Sequence, residues 1–279
     1  MGDNRMPNYD ILFLDMDGTV LNSNNEATER TRKALKAAQE AGVKLVVASG
    51  RTLKILPPLI QELGFDYAAV SNGASIYDLR SGERVYHHDF NLEAAHAMCE
   101  VLMEECDFIE FYADGEIQVS RASFERMKHR RIPVWHQKFF NENGTRVWET
   151  EMTYVQAGAP GLEKVALVCY EDEVLKRIRS RLAPMGYFNL TDSVVGAMEI
   201  NDKECSKGVA LRDICCRMGI DIARSAAIGD SMNDMTMIQA AGCGVAMGNA
   251  RKEIKAAADY ITASNDEDGV ARFIEEKVL

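Results

Sequence analysis

The stretch Ile11-Leu12-Phe13-Leu14-Asp15-Met16-Asp17-Gly18-Thr19 decides the fold of this chain. Its four apolar residues predict a buried β-strand, which ends on two aspartates that flank a single residue. Because side chains alternate between the two faces of a strand, Asp15 and Asp17 point to the same side. Two neighbouring carboxylates repel each other, so this arrangement requires a divalent cation or a shared proton.

Two other interpretations of this stretch are open at this point. Asp-Gly is a common turn dipeptide and threonine can bond to nearby backbone, so the stretch also fits an ordinary turn. A calcium-binding loop fits less well, because its glycine belongs at the sixth position and Gly18 is at the fourth. The rest of the sequence has to separate these interpretations.

Further short apolar segments predict strands, and helix-forming sequence lies between them. Thr28 is expected to cap a helix that Gly42 ends, and other helices are predicted over residues 53–63, 231–241 and 270–278. This alternation is typical of a parallel sheet covered on both faces by helices. The C-terminal ends of such strands share one edge, where these folds bind ligands. The chemically active residues that follow the five predicted strands are Asp15 with Asp17, Ser49, Asn72, Asp230 and Asn249.

Residues 87–193 differ in composition from the sequence on either side. They hold all five histidines, both tryptophans and 13 of the 21 aromatic residues. Phe108–Tyr112 and Glu116–Ser120 predict a hairpin, so we expect this insert to have its own antiparallel sheet. The predicted organisation is an α/β core of residues 1–86 and 194–279 with an inserted α/β cap. The cap would either stabilise the core or act as a lid that selects substrate.

Composition and charge restrict the classes of partner. A net charge of −11 and a pI of about 5.1 argue against binding of a nucleic-acid polymer. No apolar run approaches the roughly 20 residues of a membrane-spanning helix, and Met1–Arg5 lack the apolar core of a secretion signal. The seven cysteines have no paired spacing, which favours reduced thiols. We therefore expect a cytoplasmic protein that does not bind membranes. The sequence does not indicate an oligomeric state, and a monomer or weak homodimer is the default expectation.

The residues at the strand ends predict a site for a phosphoryl group and a metal ion. A hydroxyl, backbone amides and an ammonium group are suited to bind phosphate oxygens, and Ser49 and Lys207 supply the hydroxyl and the ammonium. Oxygen ligands from clustered acids suit Mg²⁺. The acids and amide of this set are Asp15, Asp17, Asp230, Asn233 and Asp234.

Four segments resemble, in order, the motifs of the haloacid dehalogenase superfamily of phosphohydrolases. These segments are Asp15–Thr19, Ser49–Arg51, Lys207 and Gly229–Asp234. The long insertion after the second motif is similar to that of the Cof-type branch, which carries a large α/β cap. The segments Ser71–Ala74, Gly244–Ala250 and Asn265–Ala271 are also similar to that branch. The resemblance implies a Rossmann-like parallel-sheet core, helices on both of its faces, and an inserted α+β cap domain.

The resemblance also implies a role for each residue of the site. Asp15 would be the nucleophile that forms an aspartyl-phosphate, and Asp17 would be the general acid and then the base. Asp15, the backbone carbonyl of Asp17, and Asp230 would bind Mg²⁺, with Asp234 supporting them. The groups expected to bind the phosphoryl oxygens belong to Met16, Ser49, Gly50, Lys207 and Asn233.

The implied function is that of a Mg²⁺-dependent phosphatase acting on a small phosphorylated metabolite. A phosphomutase or phosphotransferase would use the same intermediate, and the residues at the strand ends do not separate the two. A non-catalytic metabolite-binding regulator is disfavoured, because degenerate relatives should have lost Asp15, Asp17 or Asp230. The substrate stays open among sugar phosphates, phosphorylated cofactors and nucleotide monophosphates.

Two features of the insert bear on the substrate. Its aromatic residues are interpreted as core, although a flavin, pyridoxal or base could stack on them. The basic cluster Lys128–Arg131 is interpreted as a solvated helix face rather than as a site for a second phosphate. The aromatic residues assigned to the core are Phe111, Phe124, Trp135 and Trp148.

Overall fold

A computed structural model of the protein describes residues 7–88, 90–106, 108–127, 145–169, 171–191 and 196–279. The chain forms two compact units. The first consists of Met1–Gly50, Pro57–Tyr86 and Ser206–Leu279, and the second of Arg51–Leu56 and His87–Cys205. None of the helices among the described residues combines the length and apolar character needed to cross a bilayer.

The strands and helices of the described residues are numbered here in chain order. The strands are β1 Ile11–Leu14, β2 Lys44–Ala48, β3 Tyr67–Val70, β4 Ser75–Asp78, β5 Arg84–His87, β6 Ile109–Ala113, β7 Glu116–Ser120, β8 Arg146–Trp148, β9 Leu162–Val168, β10 Phe188–Thr191, β11 Ala197–Asp202, β12 Ser225–Gly229, β13 Cys243–Ala246 and β14 Tyr260–Ile261. The α-helices are α1 Glu29–Glu40, α2 Leu59–Leu63, α3 Leu92–Glu105, α4 Arg121–Met127, α5 Glu151–Gln156, α6 Asp172–Leu182, α7 Lys207–Met218, α8 Met235–Ala240, α9 Lys252–Ala257 and α10 Gly269–Phe273. A π-helical turn, Ile274–Val278, follows α10.

The first unit is built around a sheet of eight described strands in the order β14-β13-β12-β1-β2-β3-β4-β5. The six strands from β14 to β3 run parallel, and β4 is antiparallel to β3. β1 lies between β12 and β2, and all four of its side chains are buried. The predicted parallel α/β core is confirmed. The strands β4 and β5 were not predicted from the sequence.

The ends of the helices follow from local sequence. Thr28 caps α1 as predicted, because its hydroxyl oxygen accepts a hydrogen bond from the Thr31 amide at 3.1 Å. The helix predicted over residues 53–63 is present only as a 3₁₀ turn at Leu53–Ile55 followed by α2. Pro57 and Pro58 separate these two pieces, since proline lacks an amide proton and disfavours helical backbone in the residue before it.

The second unit contains a sheet of six described strands in the order β10-β11-β9-β6-β7-β8. Its strand pairs are antiparallel except for β7 with β8, and the predicted hairpin is formed by β6 and β7. Phe111 is fully buried, and Phe124 and Trp148 are partly buried against core clusters, as expected of core residues. Trp135 and the Lys128–Arg131 cluster lie outside the described residues.

The boundaries of the two units differ from the predicted domain boundaries at two places. The second unit extends to Cys205 instead of residue 193, because β11 forms hydrogen-bonded pairs with β9 and β10. Residues 51–56 also belong to the second unit, and the Lys54 amide donates to the Gly115 carbonyl at 3.3 Å. The insert is therefore longer than its composition suggested.

Candidate active site

Three adjacent strands of the first unit, β12, β1 and β2, end beside one another and carry the predicted site residues. Asp15 directly follows β1, Ser49 follows β2 and Asp230 follows β12. The strands are parallel, so these residues lie at the same edge of the sheet. Met16 and Gly50 come next in the chain after Asp15 and Ser49, which places their backbone amides at this edge as well.

Lys207 is the first residue of α7 and is completely buried. Its ammonium Nζ donates to Asp15 Oδ1 at 2.7 Å and to Asp234 Oδ1 at 2.6 Å. Burial by itself would lower the pKa of Lys207, but the charges of Asp15 and Asp234 outweigh burial and raise that pKa above its ordinary value. The lysine therefore stays charged and holds the Asp15 carboxylate in one orientation.

Asp234 is fully buried and both of its carboxylate oxygens accept hydrogen bonds. Oδ1 binds Lys207, and Oδ2 accepts from the backbone amides of Asp230 and Ser231, each at 3.0 Å. Gly229 lies against this carboxylate so closely that a Cβ at residue 229 would collide with it. Asp234 thus supports Lys207 and the loop that follows β12, and its expected role beside a metal ion stays a prediction.

Three carboxylates crowd together at this edge of the sheet. Oxygen atoms of Asp15, Asp230 and Asp234 lie within 4.8 Å of one another. Burial, reinforced by the charge of Asp234, raises the pKa of Asp230 to about 7. Burial and the charge of Asp234 also raise the pKa of Asp15 well above its ordinary value, although Lys207 opposes the shift. A divalent cation would relieve this repulsion, and the oxygen-only donor set fits a hard cation.

Asp17 is exposed, unlike Asp15. Its negative charge contributes to the raised pKa of both Asp15 and Asp230, so it acts on the same cluster. An exposed carboxyl beside a buried carboxylate can exchange a proton with a bound ligand or with water. The assignment of the Asp17 carbonyl as a metal ligand stays a prediction.

Thr19, Asn249 and Gly18 contact the acidic cluster. The sequence predicted Asn249 at this edge of the sheet but assigned none of the three a contact with the acids. The Thr19 hydroxyl donates to Asp230 Oδ1 at 3.4 Å, and Asn249 Nδ2 donates to the Gly18 carbonyl at 2.8 Å. Gly18 has a φ of 79°, and a Cβ there would lie 2.7 Å from Asp230 Oδ2. Their positions in the sequence could have indicated these contacts, because Thr19 is the last residue of the opening stretch and Asn249 follows β13 closely.

Both polar atoms of the Asn233 side-chain amide make hydrogen bonds. Its Nδ2 donates to Asn72 Oδ1 at 3.1 Å, and its Oδ1 accepts from the Ser231 hydroxyl at 2.9 Å. Asn233 is half-buried, whereas Asn72 is only 3% exposed. The first unit therefore brings together a buried ammonium, a carboxylate cluster and an oriented amide, a combination suited to binding a phosphoryl group together with a cation.

Comparisons with known proteins show what the chain resembles. A family profile described as haloacid dehalogenase-like hydrolase matches residues 12–274. Putative phosphatase YxeH of Bacillus subtilis is 31% identical, over 97% of this chain and 99% of its own length. The 5-amino-6-(5-phospho-D-ribitylamino)uracil phosphatase YcsE of Bacillus subtilis is 30% identical, over 96% of each chain. A solved haloacid dehalogenase-like hydrolase from B. subtilis superposes with a TM-score of 0.83 at 28% identity, covering 96% of this chain and 99% of its own.

The raised pKa of Asp230 predicts how stability depends on pH in chelator-treated protein. The folded state holds this proton up to about pH 7 and the unfolded state releases it near pH 4, so stability decreases as pH rises between those values. We expect a loss of up to about 4 kcal/mol over this window. Asp230→Asn should reduce the loss, as measured by urea unfolding at a series of pH values. Identical pH dependence in both proteins would contradict the assigned crowding.

Proposed function

Because the chain belongs to the haloacid dehalogenase-like hydrolases and is a phosphatase of that family, we propose that it hydrolyses small phosphorylated metabolites with the help of Mg²⁺. The reaction would pass through an aspartyl-phosphate on Asp15. The observation that carries this proposal is the buried ammonium of Lys207, which bridges Asp15 and Asp234 beside Asp230.

Electrostatic repulsion explains why a nucleophilic carboxylate needs these neighbours. A carboxylate about 4 Å from a phosphate charge meets roughly 4 kcal/mol of repulsion per unit-charge pair at an effective dielectric near 20, and about twice that against a dianion. Lys207 offsets part of this repulsion because its ammonium contacts Asp15 Oδ1 directly. When bound by Asp15 and Asp230, Mg²⁺ supplies further positive charge to the transferring phosphoryl group.

The proposed reaction has two halves, in which Asp15 would be the nucleophile and Asp17 the general acid and base. An oxygen of Asp15 attacks phosphorus, and the bond from phosphorus to the leaving alcohol oxygen breaks. Asp17 gives its proton to that alcohol and afterwards takes a proton from water. The water oxygen then attacks phosphorus, which releases inorganic phosphate and regenerates the carboxylate of Asp15.

The remaining residues would bind the phosphoryl oxygens. Ser49 offers a hydroxyl, Lys207 an ammonium and Asn233 an amide N–H, and the backbone amides of Met16 and Gly50 lie at the same edge of the sheet. Such donors strengthen their contacts as charge moves onto the phosphoryl oxygens during transfer. This set supports phosphoryl transfer without indicating which alcohol leaves.

The relatives support a small organic phosphate as substrate. YcsE is named for a substrate that joins a phosphorylated ribityl chain to an aminouracil. Phosphorylated polyols and sugars, phosphorylated cofactors and nucleotide monophosphates together form the proposed substrate class. A release assay for inorganic phosphate over such a panel tests this class.

Asp15→Asn should reduce turnover to less than a few per cent of wild type, because the amide is a poor nucleophile at phosphorus. Chelation of divalent cations should abolish turnover, and added Mg²⁺ should restore it. The measurement is release of phosphate from p-nitrophenyl phosphate. A suitable control is Asp10→Asn, since Asp10 lies just before the opposite end of β1 in an ion pair with Arg224 and should not affect the rate. Substantial activity in Asp15→Asn would refute the nucleophile assignment.

Asp17→Asn should retain binding of a phosphate analogue and of Mg²⁺ while losing most of the rate, about 10²-fold or more. The reason is that Asp17 transfers protons and its side chain does not hold the phosphoryl group. Vanadate affinity and kcat should be measured in parallel. Equal losses in analogue affinity and in rate would show that Asp17 binds the ligand instead.

Hydrolysis and phosphoryl transfer to a sugar can be separated by the acceptor. A phosphatase releases phosphate from p-nitrophenyl phosphate into water and needs no added sugar. A phosphomutase should release none and should instead interconvert hexose phosphates in the presence of a bisphosphorylated activator. We expect phosphate release without isomerised product. Chromatography of the reaction mixture measures both.

A further inference from the structure

Two consecutive residues after β3 have a backbone conformation that residues with side chains rarely adopt. Ser71 has a φ of 50° and Asn72 a φ of 60°, both in the left-handed region. Both residues are buried, at 0% and 3% exposure. Left-handed backbone at non-glycine residues persists where surrounding contacts hold it, and it is concentrated at functional sites.

The turn formed by Ser71, Asn72 and Gly73 contacts segments that carry the proposed phosphate-binding groups. The Asn72 amide donates to the Ser49 carbonyl at 3.0 Å. A Cβ added at Gly73 would lie 2.6 Å from the carbonyl oxygen of Ser206, the residue that caps α7 immediately before its first residue. The turn is thus packed between the end of β2 and the start of α7.

The side chain of Asn72 contacts Asn233, one of the proposed phosphate-binding residues. An asparagine amide has two N–H groups and one carbonyl oxygen in a single plane. In Asn233 the oxygen accepts from Ser231 and one N–H is donated to Asn72 Oδ1. Because the Asn233 oxygen and one of its N–H groups are both hydrogen-bonded, the direction of the second N–H is set. That second N–H is the one available to a ligand.

We propose that Asn72 is a positioning residue that orients the Asn233 amide toward the phosphoryl group of the substrate. The left-handed backbone of residue 72 is what places its Oδ1 within 3.1 Å of Asn233 Nδ2 while its amide remains bonded to Ser49. This inference rests on the proposed function, because it takes Asn233 to be a phosphate-binding residue.

Asn72→Gly separates the role of the side chain from that of the backbone. Glycine adopts a φ near 60° without strain, so the backbone of the turn should be kept and the melting temperature should fall only by what the loss of one buried hydrogen bond costs. The acceptor for Asn233 is lost, so kcat/KM should fall about tenfold and the inhibition constant for inorganic phosphate should rise by a similar factor. A kcat/KM and an inhibition constant within about twofold of wild type would overturn the inference.

Asn25→Gly is the matched control. Asn25 also has a φ of 60° and is exposed in a turn, so the same substitution relieves the same backbone conformation without touching Asn233. Its activity should stay within about twofold of wild type. A fall in melting temperature for Asn72→Gly with kcat/KM and the inhibition constant both unchanged would assign Asn72 a purely structural role and overturn the inference.

A double-mutant cycle tests whether Asn72 acts through Asn233. In an Asn233→Ala background, Asn72→Gly should cause no further loss beyond about twofold, because the amide that it orients is gone. Losses that multiply independently would overturn the inference. If Asn233→Ala alone leaves phosphate affinity unchanged, Asn233 does not bind phosphate and the inference fails, whereas turnover through Asp15 would still support the proposed hydrolysis.

The NMR signal of the Asn233 side-chain amide gives a readout that needs no turnover. It should shift in Asn72→Gly and stay in place in Asn25→Gly. An unshifted signal in Asn72→Gly would overturn the inference even in an active enzyme, whereas a shifted signal in a protein without phosphatase activity would count against the proposed function alone.

Discussion

The ammonium of Lys207 lies in the interior of the first unit, and two carboxylates contact it there. A buried charge is tolerated only where opposite charge and hydrogen bonds replace the lost water. Asp15 and Asp234 provide both; Asp15 directly follows β1, and Asp234 lies in the segment that joins β12 to α8. The contacts of Lys207 with the two aspartates therefore require β1, β12 and the start of α7 to keep their relative positions. The chemistry of the site and the packing of this unit thus depend on one interaction.

Close backbone approaches maintain that arrangement. Gly229 allows the Asp234 side chain to lie against the end of β12, and Gly18 does the same for Asp230 beside the loop that follows β1. Side chains at either residue would push a carboxylate out of the cluster. The two glycines thus help to set the distances between the acids, whose burial and mutual repulsion raise the pKa values of Asp15 and Asp230.

Much of the first unit could be predicted because its signals are local. The strand that ends at Asp15, the cap at Thr28 and the order of the motifs depend on neighbouring residues, and the family resemblance is confirmed. What could not be predicted depends on contacts distant in sequence. The hydrogen bond from Asn233 to Asn72 spans 161 residues, and the pairing of β11 with β9 moves the end of the insert to Cys205.

Residues 51–56 belong to the second unit although they lie between two segments of the first. The polypeptide therefore passes between the units four times, after Gly50, Leu56, Tyr86 and Cys205. An evolutionary exchange of caps between relatives would have to transfer this short segment together with the long insertion. Its sequence begins at Arg51, directly after Ser49 and Gly50, so recombination at that point would cut next to the residues that we propose bind phosphate. Caps of this kind would diversify more readily by substitution within one lineage than by shuffling.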